Sequence, residues 1–196
     1  DCTNLTSVIL PENLKGIQAD AFYMCKITTF NIPVSVTKIE ARAFQYSSIQ
    51  KITIPEAVTT IGESAFSGSN IQEIVIPETV TTIGDRCFYN CKDLTKVTLP
   101  DNMTQLPFYI FVECTKLKTI QLPAKIETIG NQSFARSAIS TIQLPESLKT
   151  IEYSAFSNCS QLKSIVLPPN LEKIREGAFE YTSISNIEIP ATVTEI

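Results

Sequence analysis

The prolines of this chain recur at a nearly constant interval, which limits what the chain can fold into. Nine of its eleven prolines are separated by steps of 22 or 23 residues, and eight phenylalanines each follow a proline by eleven residues. This period predicts a solenoid of stacked coils with an internal column of phenylalanine rings. The prolines are Pro11, Pro33, Pro55, Pro77, Pro100, Pro123, Pro145, Pro168 and Pro190, and the phenylalanines are Phe22, Phe44, Phe66, Phe88, Phe111, Phe134, Phe156 and Phe179.

Each repeat has an alternating segment before its proline, such as Ile-Gln-Lys-Ile-Thr-Ile at residues 49–54. This alternation predicts a half-buried strand, which the proline ends because it has no N–H to donate. A shorter extended piece follows the proline. The Ala-Phe stretch after it is too short for a stable α-helix and is predicted to form one 3₁₀-like turn. Since one repeat cannot bury its own apolar face, equivalent strands should pair in parallel.

The repeat resembles that of a known family. Residues 144–159 carry its cleanest copy, Leu-Pro-x-x-Leu-x-x-Ile-Glu-x-x-Ala-Phe-x-x-Cys, and essentially the whole chain is similar to the BspA-like leucine-rich repeat. The resemblance implies a leucine-rich-repeat arc with a parallel concave β-sheet, and with short extended pieces and 3₁₀ or short helical turns on the convex side. The expected organisation is a single domain over residues 1–196, with about nine repeats cut from a longer array.

The family is associated with surface proteins of bacteria and some protists, often in adhesion, and has no catalytic residues to carry over. The resemblance therefore implies a non-catalytic protein-binding or adhesion module of a cell-surface or secreted protein. Its expected partner is a host or neighbouring-cell surface or matrix protein, with no cofactor and with end-to-end self-association of the end coils as a further contact. Two alternatives stay open: an intracellular scaffold or inhibitor and, less favoured, a β-solenoid glycan-processing enzyme.

Composition argues against several function classes. The chain has no histidine, which removes Ser-His-Asp triads, Cys-His dyads and histidine-containing zinc sites. A formal net charge of −4 gives no electrostatic reason to bind nucleic acid. No run of 18 apolar residues is present, so no membrane insertion is expected in this segment. Glu73 and Glu188, the exposed carboxylates predicted on the sheet, lie five repeats apart, too far for a glycosidase pair.

Five of the six cysteines share one repeat position, which Ser or Thr fills in other repeats. This exchange favours free buried thiols that pack as small hydrophobic groups. Disulfides between Cys2 and Cys25, or between Cys91 and Cys114, would join neighbouring coils and stay open as the minority interpretation. An all-cysteine metal site needs four converging ligands, and Cys87 with Cys91 supplies two, so no metal site is predicted.

Partner binding is expected on the concave sheet, because a solenoid aligns equivalent positions from every coil. The outward side chains should be those five, four and two residues before each proline. They are mostly Thr, Ser, Gln and Asn, so an ordinary solvated sheet face stays open as the alternative. The candidate partner-binding residues are Lys51, Thr53, Glu73, Val75, Lys96, Thr98, Lys118, Thr119, Gln121, Thr141, Gln143 and Lys163.

One repeat departs from the template. Residues 105–111, Gln-Leu-Pro-Phe-Tyr-Ile-Phe, place Phe108 and Tyr109 where the other repeats have mostly polar residues. The segment is interpreted either as a locally repacked turn or as an apolar contact patch on the convex side.

Four Asn-x-Ser/Thr sequons are present, more than the sequence would contain by chance. They are candidate N-glycosylation sites and give weak support to a secretory history. The asparagines are Asn4, Asn102, Asn131 and Asn158.

Overall fold

The computed structural model describes residues 3–196, whose regular structure consists of twelve short strands. These residues contain no α- or 3₁₀-helix, and thus no helix long and apolar enough to cross a membrane. The strands are β1 (Gly16–Ile17), β2 (Thr29–Asn31), β3 (Lys38–Ile39), β4 (Lys51–Thr53), β5 (Thr60–Ile61), β6 (Glu73–Val75), β7 (Thr82–Ile83), β8 (Lys96–Thr98), β9 (Gln105–Leu106), β10 (Thr128–Ile129), β11 (Thr150–Ile151) and β12 (Lys173–Ile174).

The segments before the prolines form a first strand line along the molecule, which corresponds to the predicted concave sheet. Its strands β2, β4, β6 and β8 each bury their central residue and expose the two flanking ones. β2 pairs with β4 and β6 with β8 in parallel, and Gln121 bridges Gln143 further along. The alternation is as predicted, but the sheet is formed in separate pieces instead of nine continuous strands.

The segments after the prolines form a second strand line, divided into two four-stranded parallel sheets. Their orders are β1-β3-β5-β7 and β9-β10-β11-β12. The division falls at Pro107. At the equivalent position Gly62 and Gly84 donate their N–H groups to the carbonyl oxygens of Ile39 and Ile61 in the preceding coil, both at 2.8 Å. Proline has no N–H, so this ladder is interrupted where Pro107 occupies the position.

The stretch around each phenylalanine is a chain of tight turns, and the predicted 3₁₀ or short helical turn is wrong. In a typical coil Arg42 and Tyr46, on either side of Phe44, both have a φ of 56°. Two left-handed residues four positions apart are incompatible with a right-handed helix. Alternate amides instead donate to the next coil, as the N–H of Phe44 does to the carbonyl oxygen of Ala65 at 2.8 Å. The turns therefore form a third ladder that links the coils.

The phenylalanines of the register form the predicted internal column. Successive rings are stacked with centroids 5.3–5.8 Å apart and interplanar angles of 4–19°. Phe30, which lies outside the register, packs edge-on against Phe22 and Phe44 at 4.6 and 4.9 Å. The inward residues of both strand lines join the same hydrophobic cluster. Burial of this column between the strand lines leaves the alternate strand residues on the surface.

In several repeats a polar side chain two residues after the proline links neighbouring coils by hydrogen bonds, a contact that was not predicted from the sequence. The hydroxyl of Ser147 lies 2.8 and 2.6 Å from the carbonyl oxygens of Ala124 and Ile126 in the preceding coil, within donating distance of both. Because several residue types share the position, its common role is hidden in the sequence. The same contact to the preceding coil is made by Ser35, Thr79, Asn102, Asn170 and Thr192.

Substitution at this position should change stability in a predictable direction. We expect Ser147→Ala to lower the free energy of unfolding by about 1–2 kcal/mol, since a partly buried carbonyl oxygen loses its donor. Ala57 occupies the equivalent position in another repeat, so Ala57→Ser should raise it by about 0.5–1.5 kcal/mol. Urea unfolding of the two variants measures both changes. Destabilisation by Ala57→Ser would show that the hydroxyl does not stabilise this position.

Candidate functional site

A groove of about 1130 Å³ crosses the first strand line near the middle of the molecule. The strand segments of three successive coils line it, at residues 95–99, 119–123 and 141–145. Because side chains alternate along each segment, Thr98 and Gln121 are exposed in the groove while Val97 and Ile120 are buried in the core. The groove is therefore lined mainly by hydroxyl and amide groups over an apolar base. We call the exposed side chains of the first strand line, with the residue after each proline, the groove face.

The twelve candidate binding residues are all exposed on the groove face. Lys118 lies beside the groove, in a smaller hollow of about 530 Å³. Lys51, Thr53, Glu73 and Val75 lie outside both, on β4 and β6, and Lys163 lies in a later coil. The structure thus brings half of the candidates together in the groove. These six are Lys96, Thr98, Thr119, Gln121, Thr141 and Gln143.

The lysines of the groove face have no acidic partner in the part of the chain that the structure describes. Among residues 3–196, Lys51, Lys96, Lys118 and Lys163 make no ion pair. The ion pairs of the described residues lie elsewhere, as between Arg42 and Asp20 in the turns at 2.7 Å. An exposed lysine without a pair keeps its three donors available for an incoming carboxylate.

Acidic side chains border the opposite edge of the groove. Asp101 and Glu146 line it, each directly after a proline. The carboxylate of Glu78, at the equivalent position one coil earlier, accepts the backbone N–H of Asp101 at 2.9 and 3.1 Å. The positions before the prolines do not reveal this edge, so it was not predicted from the sequence. The available signal was an acidic residue after five of the nine repeat prolines.

Phe108 and Tyr109 lie in a turn whose backbone and side chains contact the neighbouring coils. The Arg86 guanidinium carbon lies 4.4 Å from the centroid of the Tyr109 ring, and the backbone N–H of Phe108 donates to Asp85 Oδ1 at 3.0 Å. The Phe108 ring lies so close to Gly130 that a Cβ there would come within 2.8 Å of it. These contacts favour the repacked-turn interpretation, although Phe108 remains 41% exposed.

The candidate glycosylation sites differ in what their amides already contact. Asn4 is exposed, whereas the Asn102 Nδ2 donates to the carbonyl oxygen of Glu78 at 2.8 Å. Asn158 Nδ2 donates to Ser157 Oγ at 2.8 Å, and the Oδ1 atom of Asn131 is buried. A glycan would be attached to the same Nδ2 atom of Asn102 that donates this hydrogen bond to the preceding coil. Modification of Asn4, Asn102, Asn131 and Asn158 stays a prediction.

Four cysteines are buried free thiols, as the repeat pattern predicted: Cys87, Cys91, Cys114 and Cys159. The Sγ atom of Cys91 lies 3.1 Å from the carbonyl oxygen of Phe66 in the preceding coil, and Cys114 and Cys159 make the equivalent contact at 3.2 and 3.0 Å. The alternative Cys91–Cys114 disulfide is wrong. Cys2 lies outside the described residues, so the minority interpretation of a Cys2–Cys25 disulfide stays open.

Burial makes these thiols poor nucleophiles. It raises the pKa of Cys91 to about 12, and it raises the pKa of Cys87 and Cys114 well above the ordinary value. Burial raises the pKa of Cys159 as well, so all four thiols stay protonated at neutral pH, and the thiolate is the reactive form. Within residues 3–196 no group of three or more His, Cys, Asp or Glu side chains could hold a metal ion.

The raised pKa of Cys91 predicts a loss of stability in alkali. The folded state keeps its proton at pH values where the unfolded thiol, with an ordinary pKa of 9.0, has ionised. This contribution to stability is complete below pH 9 and is lost as the pH rises toward 12, at up to about 1.4 kcal/mol per pH unit. Cys91→Ser, which copies Ser69 at the same repeat position, should flatten the decline. Urea unfolding at several alkaline pH values measures it, and equal slopes for both proteins would contradict the prediction.

The sequence profile described as the BspA type leucine rich repeat region matches residues 1–95 and 81–196, in six copies. The two matches together span the chain. The chain belongs to the BspA-type leucine-rich repeat family. This confirms the resemblance found in the repeat template, and with it the repeat solenoid. No curated protein matches the chain.

Solved bacterial structures share the solenoid of this BspA-type chain. A leucine-rich repeat protein from Eubacterium ventriosum is 34% identical with a TM-score of 0.78, covering 87% of this chain and 46% of its own. This chain therefore spans less than half of that protein's length. A leucine-rich repeat protein from T. pallidum is 24% identical (TM-score 0.69, 82% of this chain and 76% of its own). A leucine rich cell surface protein from Faecalibacterium prausnitzii is 23% identical (TM-score 0.58, 93% and 65%). At these identities the last two show the fold alone.

Proposed function

We propose that this BspA-type chain is a non-catalytic protein-binding module of a cell-surface or secreted protein, and that it binds its partner through the groove face. The observation that carries the proposal is the groove, where six exposed candidate residues from three coils converge. A solenoid presents equivalent side chains from successive coils over an extended surface, which suits it to protein recognition. Leucine-rich repeat proteins are in general non-catalytic interaction proteins.

The partner is a host or neighbouring-cell surface or matrix protein, and the role is adhesion. This part of the proposal rests on the association of the family with surface proteins. The polar groove supports a protein partner, because hydroxyl and amide side chains can both donate to and accept from polar groups of another chain.

Charge reversal at the groove tests the proposal. The ligand is a surface or matrix protein that has first been isolated by its binding to this chain. The double change Lys96→Glu and Lys118→Glu should lower the affinity for this ligand at least about tenfold, chiefly through a slower association rate. The thermal midpoint should barely change, since exposed charges contribute little to stability. Surface plasmon resonance and circular dichroism measure the two quantities.

The matched control is Lys15→Glu with Lys38→Glu. Both lysines are exposed, lie outside the groove face near the second strand line and make no ion pair among the described residues. The control therefore changes the net charge by the same amount and should leave binding nearly intact. Retained binding after the groove change would place the site elsewhere, and Phe108 and Tyr109 would be the next residues to substitute.

A further inference from the structure

Two charged edges of opposite sign bound the groove. Lys96 lies on the edge where the strands begin, with Lys118 beside it in the adjoining hollow. Asp101 and Glu146 lie on the edge where the strands end. The lysine edge also includes Glu73, which lies outside the groove and opposite Lys96 in the β6–β8 register. The groove is therefore polarised across its width, positive along one side and negative along the other.

The distance between the edges suits one kind of occupant. Lys96 and Asp101 are five residues apart, which is at most about 17 Å, since the chain turns at Asp101. An α-helix with its side chains is about 10–12 Å across, so it fits between the edges with room for the ends of charged side chains. One helical turn rises about 5.4 Å, close to the ~4.8 Å between neighbouring strands, so each turn would lie over about one coil.

The number of lining coils sets the length of this occupant. A helix that crosses the three lining coils needs about three turns, or roughly 15 Å of length. The uncharged strip between the edges, with Thr98, Gln121 and Gln143, supplies hydroxyl and amide groups for polar side chains on the underside of the helix.

Building on the proposed function, we infer that the groove receives an α-helix of the partner protein, with acidic side chains along one flank and basic side chains along the opposite flank. The acidic flank faces Lys96 and Lys118, and the basic flank faces Asp101 and Glu146. A polyanion would satisfy the lysines but be repelled by the two carboxylates, and a polycation would meet the reverse arrangement. Opposed charges across the width therefore select for a partner that is itself polarised.

Two synthetic helical peptides of identical composition test the inference directly. In the first, 14 residues long, Glu occupies positions 1, 5, 8 and 12 and Lys occupies positions 3, 7, 10 and 14, which places them on opposite flanks at about 100° per residue. In the second, Glu and Lys are interleaved on one flank. Fluorescence anisotropy with the full chain should show at least about tenfold tighter binding of the first peptide. Equal affinities, or tighter binding of a polyglutamate peptide, would overturn the inference.

Charge exchange between the edges provides a second readout. Lys96→Glu with Lys118→Glu, and separately Asp101→Lys with Glu146→Lys, should each weaken binding of the opposite-flank peptide at least about fivefold. The four changes together should restore it, because a helix turned end to end presents its flanks to the exchanged edges. Asp101→Lys keeps the backbone N–H that Glu78 accepts. If the variant with all four substitutions folds but does not bind the peptide again, the inference is contradicted. If that variant does not fold, the comparison of the two peptides on the unsubstituted chain is the test.

The same variants separate this inference from the proposed function. Suppose that the lysine changes lower the affinity for the captured partner, while Asp101→Lys with Glu146→Lys raises it. The groove then binds an acidic surface, and only the inference of a helix with two oppositely charged flanks is wrong. If neither pair of changes affects the captured partner, the groove face is not the binding surface and the proposed function itself fails.

Discussion

Replacement of Phe66 or Phe134 by alanine should lower the free energy of unfolding by about 3–5 kcal/mol. Both rings are fully buried, and each is stacked between two others, at 5.4 and 5.8 Å for Phe66 and at 5.5 and 5.3 Å for Phe134. Removal of either ring leaves a cavity between two rings that the ladders hold in place, so the coils cannot simply close over it.

Urea unfolding of both variants measures the loss. Tyr181→Ala is the control, because its aromatic side chain is 71% exposed and its removal should cost less than about 1 kcal/mol. Because coils interact mainly with their neighbours, a smaller dependence on urea in the phenylalanine variants would show that part of the stack unfolds separately. Losses no larger than that of Tyr181→Ala at both positions would show that the column does not hold the coils together.

Gly84→Ala should lower the free energy of unfolding by about 1–3 kcal/mol, less than either phenylalanine replacement. A Cβ at Gly84 would clash with the backbone nitrogen of Glu63 and come within 2.6 Å of its Cα. Backbone atoms of a neighbouring coil cannot move aside as a flexible side chain can, so the coils must separate locally.

The control for this change is Gly16→Ala. A Cβ there would meet nothing nearer than 3.6 Å, and neither glycine has a positive φ. Gly16→Ala should therefore leave stability unchanged or raise it by up to about 1 kcal/mol, through a smaller loss of chain entropy on folding. Thermal melts of the two variants compare them. Similar midpoints would mean that the coils adjust to a methyl group at Gly84.

Local pattern predicted the parts of the fold that depend on burial. Alternation around Ile52, with Lys51 and Thr53 on either side, is enough to assign which side chains are buried and which are exposed. The turns could not be predicted in the same way. Arg42 and Tyr46 have no preference for left-handed backbone, and they adopt it because their N–H groups bond to the next coil at 2.9 and 2.8 Å. That cause lies in tertiary contacts, which a single repeat does not reveal.

The groove face likewise has a part that local pattern predicts and a part that depends on how the chain folds. The exposure of Lys96 and Gln121 follows from strand alternation and was predicted, whereas the contribution of Asp101 and Glu146 depends on how the chain turns after each proline. Pro107 was noticed as a departure from the template. Its effect on the second strand line could be recognised only once the ladder showed which N–H group was missing.

The direction of the backbone N–H groups has consequences for the electric field of the molecule. Strand-line amides point both ways, that of Gly62 to the preceding coil and that of Ile174 to the next one, while turn amides such as that of Phe44 point to the next coil. Each peptide group carries a dipole of about 3.5 D, and dipoles that alternate along a strand largely cancel along the stacking axis. A long α-helix accumulates partial charge at its ends, whereas here much of the backbone contribution cancels within each coil. The backbone therefore gives neither end of the stack a strong attraction for ions, and the side chains of Lys96, Asp101 and their neighbours set the local field that an approaching molecule meets.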